Sequence, residues 1–154
     1  MEMEKTKVFA DSSVLITAVL SSNGGSFYIL TQFKEDFDFQ ISEYVLEETM
    51  RVLAQKFSSK PDLRNQLFLL ISAAKINILP NPPPKELKPL RKVINAEDTP
   101  ILASALKNDL CLLTLDNDFF KKSVTGFIQK NHFGFLILKP REFIMRYKND
   151  LSGT

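Results

Sequence analysis

Five short apolar runs, at residues 7–10, 37–41, 75–79, 110–115 and 135–138, alternate with segments whose apolar residues recur every three or four positions. Brief apolar runs closed by turn residues suit buried strands, and the longer periodic stretches suit amphipathic helices. The helical segments fall at 14–20, 26–34, 43–57, 61–74 and 99–108, then briefly after Asp118, and at 140–147. Ser26 and Ser42 stand where helix N-caps stand, and Pro100 takes an early helical position, where its missing N–H is harmless. Strands alternating with helices imply an α/β fold, a parallel sheet with helices on both faces. Pro80, Pro82, Pro83, Pro84 and Pro89 crowd one segment. Because proline fixes φ and lacks a donor, that segment is expected to run extended along the surface.

The chain of 154 residues is long enough for one domain, expected over 1–154, with a sizeable core. Hydrophobic residues make up 44% and charged residues 25%, which excludes a disordered chain. A single cysteine, Cys111, allows no internal disulfide and favours a reducing compartment; inside a strand it is expected to be an inert core thiol. No run has the roughly 20 apolar residues of a membrane span, and Met1-Glu2-Met3-Glu4-Lys5 lacks the pattern of a secretion signal. A cytoplasmic protein is expected, with no membrane partner.

Four separated acids carry the chemical signal. Asp11 ends the first apolar run and is followed by Ser12, Ser13 and a helical stretch. A carboxylate there lies where open α/β sheets place their ligands, although an Asp after a strand also simply caps the next helix. Glu48 shares a helix face with Val45 and Val52 and so points further inward than its neighbour Glu47. Asp98 opens the helix that contains Pro100, which is also good helix-start chemistry without catalysis. Asp116 and Asp118 follow Thr114 and Leu115 at the end of another buried run, where Asp-Asn-Asp also suits a plain turn. Two buried strands thus each end in an Asp, and in a parallel sheet those ends share one edge.

Gathered together, such carboxylates repel one another and stay ionised only around cations. An all-oxygen donor set selects Mg²⁺ or Mn²⁺ over zinc, and one histidine, His132, cannot build a His-rich cage. No Walker A loop or G-x-G-x-x-G run points to a nucleotide cofactor. The net charge of +2 hides a more basic body once the clustered acids are set aside. That suits a polyanionic substrate, and a solvated lysine-rich surface explains it equally well.

The stretches Val8-Phe9-Ala10-Asp11-Ser12-Ser13-Val14-Leu15-Ile16, Val45-Leu46-Glu47-Glu48-Thr49-Met50-Arg51-Val52-Leu53, Asp98-Thr99-Pro100-Ile101-Leu102-Ala103-Ser104-Ala105 and Leu113-Thr114-Leu115-Asp116-Asn117-Asp118-Phe119 occur in that order. In this ordered set the chain resembles PIN domains, found in small prokaryotic ribonucleases and toxin–antitoxin toxins. The resemblance implies a three-layer α/β/α sandwich with a central parallel sheet of about five strands. It also implies metal-dependent cleavage of single-stranded RNA. By position, Asp11, Glu48, Asp98 and Asp116 match the family's catalytic acids. Asp11, Asp98, Asp116 and Asp118 are the implied ligands of Mg²⁺ or Mn²⁺, and Ser12, Ser13 and Thr114 are the supporting hydroxyls. The implied partners are RNA, an antitoxin protein and a second copy of the chain. Two departures stand out: Ser13 replaces a frequent Asn, and Asn95, with Glu97 nearby, stands where an acid is often found.

The mechanism implied is hydrolysis of a phosphodiester by metal-activated water, which Glu48 orients or deprotonates. Lysines and arginines near the pocket, such as Lys121 and Lys122, are candidates for gripping the strand and equally suit plain solvated positions. A PIN-like module that binds RNA or protein without cutting is the rival reading. A haloacid-dehalogenase-like phosphatase would want a second Asp where Ser13 stands, and a receiver-type phospho-acceptor would want a paired acid and a late lysine.

Overall fold

The computed structural model describes residues 4–150; residues 1–3 of the N-terminal stretch considered above, and 151–154 of the expected domain, lie outside it. Five strands, β1 (Thr6–Ala10), β2 (Phe37–Ser42), β3 (Asn77–Leu79), β4 (Cys111–Leu113) and β5 (Leu136–Leu138), form one sheet in the order β3-β2-β1-β4-β5. Every neighbouring pair is parallel, with Val8 beside Phe39 on one side and Cys111 on the other. The helices are α1 (Ser12–Leu20), α2 (Gly25–Gln32), α3 (Glu43–Lys56), α4 (Leu63–Ala73), α5 (Pro84–Leu87), α6 (Thr99–Asn108), α7 (Lys122–Asn131) and α8 (Pro140–Tyr147). They complete the three-layer α/β/α arrangement.

Burial explains the pattern of the central strands. Val8, Phe9 and Ala10 have no exposed surface, nor have Cys111, Leu112 and Leu113, because helices cover both faces of the sheet. β2 looks alternating in sequence, yet Phe37, Phe39, Gln40, Ile41 and Ser42 are all buried. The core contains an aromatic cluster around Phe143, whose ring centroid lies 5.4 Å from that of Phe33, 5.2 Å from Phe37 and 4.8 Å from Tyr147. Burial pushes the Cys111 thiol up to about 12, in keeping with an inert core residue. No single helix among the described residues is long and apolar enough to cross a membrane; α1 and α2 meet at 98° and bury Val14, Leu15, Ala18, Ile29 and Leu30.

Two local expectations need correction. Gly24, not Ser26, caps α2; the Ser26 hydroxyl instead pairs with Thr17 Oγ1 at 2.7 Å. The proline-rich segment is not extended throughout, since 84–87 form one helical turn and 88–90 a 3₁₀ turn. Pro84 sits in the first turn of α5, where a backbone donor has no intrahelical partner anyway.

The topology decides where the acids meet. From β1 the chain crosses to β2 on one side, while β4 pairs with β1 on the other. The carboxyl ends of β1 and β4 therefore flank the point where strand order reverses, and open α/β sheets place ligands there.

Candidate metal centre

Asp11 follows β1 directly and serves two purposes. It caps α1, with Oδ1 accepting from Ser12 N at 2.7 Å. Oδ2 accepts from Ser13 Oγ at 3.0 Å and from Thr114 Oγ1 at 2.7 Å, which ties β1 to the end of β4. The capping reading of this residue therefore holds, and its second oxygen is free of the cap to face the hydroxyls of Ser13 and Thr114. The side chain is almost completely buried, and that burial raises its pKa against the three hydrogen bonds that favour the charged form.

Ser12 and α3 bring in Glu48. The Ser12 hydroxyl donates to Glu48 Oε1 and lies 3.3 Å from Asp11 Oδ1. Glu48 faces inward while Glu47 is exposed, as their helical positions imply. Burial, followed by the charge of Asp11, raises the Glu48 pKa against the Ser12 hydrogen bond, and Arg51 stands 3.9 Å away on the solvent side.

The remaining acids converge from α6 and the end of β4. Asp98, Asp116 and Asp118 each offer an oxygen within 4.8 Å of the others. Asp98 occupies the N-cap position of α6, yet its carboxylate makes no cap hydrogen bond; it accepts from Asn95 Nδ2 at 2.7 Å. Asp116 Oδ1 accepts from Asp118 N at 2.9 Å, and Asp116 N donates to Thr114 Oγ1 at 3.0 Å. Ser13 Oγ accepts from Leu115 N at 3.0 Å. The two hydroxyls that serve Asp11 thus also hold the backbone of the loop that carries Asp116.

Burial pushes Asp98 up to about 6, with Asp116, Asp11 and Glu48 adding repulsion and Asn95 opposing it. Three mutually repelling hard oxygens close enough to share a cation fit a divalent ion of the Mg²⁺ or Mn²⁺ class. Asp11 is joined to the loop carrying Asp116 through Thr114 and to Glu48 through Ser12, and its charge adds to the repulsion felt by Asp98.

Two partners go beyond what the acid pattern assigns. Asn95 reaches Asp118 Oδ2 at 3.3 Å as well as Asp98. A neutral amide therefore bridges two of the clustered carboxylates. Tyr44 donates to the Glu97 carbonyl at 2.7 Å and fastens α3 to the loop before α6; its pKa is raised by burial first, then by Glu48, Glu97 and Asp98. Only the helical phase of Tyr44, four residues before Glu48, hints at its place. Lys121 makes an exposed 2.9 Å ion pair with Asp118, and Lys122 is exposed at the start of α7.

A parallel α/β/α sandwich with carboxylates grouped at its switch point defines an α/β protein with an acidic centre. Residues 8–124 match the PIN domain, and the chain belongs to that family. The fold is similar to that in the crystal structure of VapBC2 from Rickettsia felis bound to a DNA fragment from their promoter. The TM-score is 0.66 at 16% identity, covering 87% of this chain and 98% of that one. PAE2754 from Pyrobaculum aerophilum is similar with a TM-score of 0.63 at 14% identity, over 94% of this chain and 90% of that one. No curated protein matches the chain by sequence.

Proposed function

We propose that this protein is a metal-dependent endoribonuclease that hydrolyses phosphodiester bonds of single-stranded RNA, as the toxin of a toxin–antitoxin pair. The observation that carries the reading is the convergence of Asp98, Asp116 and Asp118 beside the linked pair Asp11 and Glu48. Membership of a family of nucleases supports hydrolysis, and likeness to VapBC2 supports an antitoxin partner.

Asp98, Asp116 and Asp118 would hold Mg²⁺ or Mn²⁺. Those residues would hold the ion where its charge would lower the pKa of water and offset charge on the reacting phosphate. Glu48, its pKa raised by burial and its orientation fixed by Ser12, takes the proton of the attacking water. Asp11, its oxygens already accepting from Ser12 N, Ser13 and Thr114, holds both halves of the site in register.

The test is cleavage of labelled single-stranded RNA with Mn²⁺ or Mg²⁺, run beside EDTA and the Asp11→Asn/Asp98→Asn variant. Products that need metal and vanish in the variant are expected. Cleavage that persists in EDTA or in the variant would overturn the assignment.

A further inference from the structure

We infer that the groove between the end of α3 and the start of α4 carries the single-stranded substrate to the acidic cluster, its phosphates held by Arg51, Lys60 and Arg64. The inference rests on the nuclease reading and extends it to how the strand is bound. The groove has a volume of about 530 Å³, and no Asp or Glu lines it. Its walls include Met50, Leu53 and Phe57, and its three cations are exposed.

Charge makes this the complementary surface. A cluster of carboxylates repels a polyanion, so a strand that reaches it needs adjacent cations to offset the repulsion. Arg51 supplies the junction: it lines the groove, and its guanidinium lies 3.9 Å from Glu48 Oε2. Among the described residues neither Lys60 nor Arg64 forms an ion pair. Arg64 is steadied over the Phe68 ring at 5.9 Å. The apolar walls, with the half-buried ring of Phe57, suit unpaired bases, as single-strand sites commonly combine cations with stacking surfaces.

The experiment measures binding of a fluorescein-labelled single-stranded RNA to the full chain carrying Asp11→Asn, across a salt series, with and without Lys60→Gln/Arg64→Gln. Each cation lost flattens the plot of log affinity against log salt by about 0.7, so the double change is expected to flatten it by about 1.4 and weaken binding roughly 25-fold at 0.1 M salt. Thermal unfolding confirms that the fold is intact in both chains. Equal affinity and slope in the two chains would overturn the groove while leaving the nuclease reading standing. Failure of the chain with Lys60 and Arg64 in place to bind RNA at all would overturn the groove, while the nuclease reading is overturned only by the cleavage assay. A fluorescein-labelled poly-glutamate peptide is measured in the same salt series, and loss of its binding on Lys60→Gln/Arg64→Gln with RNA binding retained would overturn the groove as an RNA path and give it to an acidic protein segment.

Discussion

Ser12 lies between two carboxylates, donating to Glu48 and lying 3.3 Å from Asp11 Oδ1. One hydroxyl proton serves oxygens that would otherwise repel, and its removal leaves Glu48 without its orienting donor. Ser12→Ala is expected to lower kcat about 10–100-fold with little change in unfolding temperature, measured by RNA cleavage beside thermal melts. Asp109 makes a different residue-scale prediction. Both its oxygens are buried without a hydrogen-bond partner, as is Ser104 Oγ. Burial pushes Asp109 from its ordinary 3.8 up to about 7, with Lys7 opposing the shift. In the folded chain the carboxyl stays neutral up to that pH, whereas in the unfolded chain it ionises near 4. Stability is therefore lost as pH rises from about 4 to about 7 and stays lost above it. Asp109→Asn should remove this part of the pH dependence, worth on the order of 4 kcal/mol. Urea unfolding of both chains at pH 5 and pH 8 checks it.

α3 is the element on which the site turns, since it presents Tyr44 to the loop before α6 and Glu48 to Ser12 at the start of α1, with Arg51 beside Glu48. Its start is fixed by Ser42, whose buried hydroxyl accepts from Val45 N at 3.2 Å. Ser42→Ala should cost about 1 kcal/mol, read as a lower urea midpoint at unchanged slope. α6 illustrates how the same motif can mislead. Asp-Thr-Pro starts this helix as the sequence implies, but the carboxylate of Asp98 turns to Asn95 instead of capping. The helix start was legible in the residues; the direction of that side chain was not, because it depends on a residue outside the helix.

The whole molecule closes through α8, which brings Phe143 against Phe33, Phe37 and Tyr147. Phe143→Ala removes a fully buried ring from this cluster and should cost about 3–5 kcal/mol, a drop of roughly 10 °C or more in Tm by calorimetry. Metal binding is also read at this scale, because a ligand that binds only the folded chain stabilises it. Mn²⁺ at about a hundred times its Kd should add about 2.7 kcal/mol. EDTA should reverse the gain and Asp98→Asn/Asp116→Asn should abolish it, with an unchanged melting temperature in Mn²⁺ counting against the centre.

The α/β alternation, the two buried strands that lead to Asp11 and Asp116, the Ser42 cap, and the inward phase of Glu48 against the outward phase of Glu47 were all legible in the residues. Each follows from periodicity or backbone chemistry acting over a few residues. The strand order, which sets β4 beside β1, was decided by tertiary structure alone. So were the bridge of Asn95 between Asp98 and Asp118, the tie from Thr114 to Asp11 across 103 residues, and the burial that moves Asp109. These depend on which distant segments pack together and how much water they exclude, and local pattern carries no record of either.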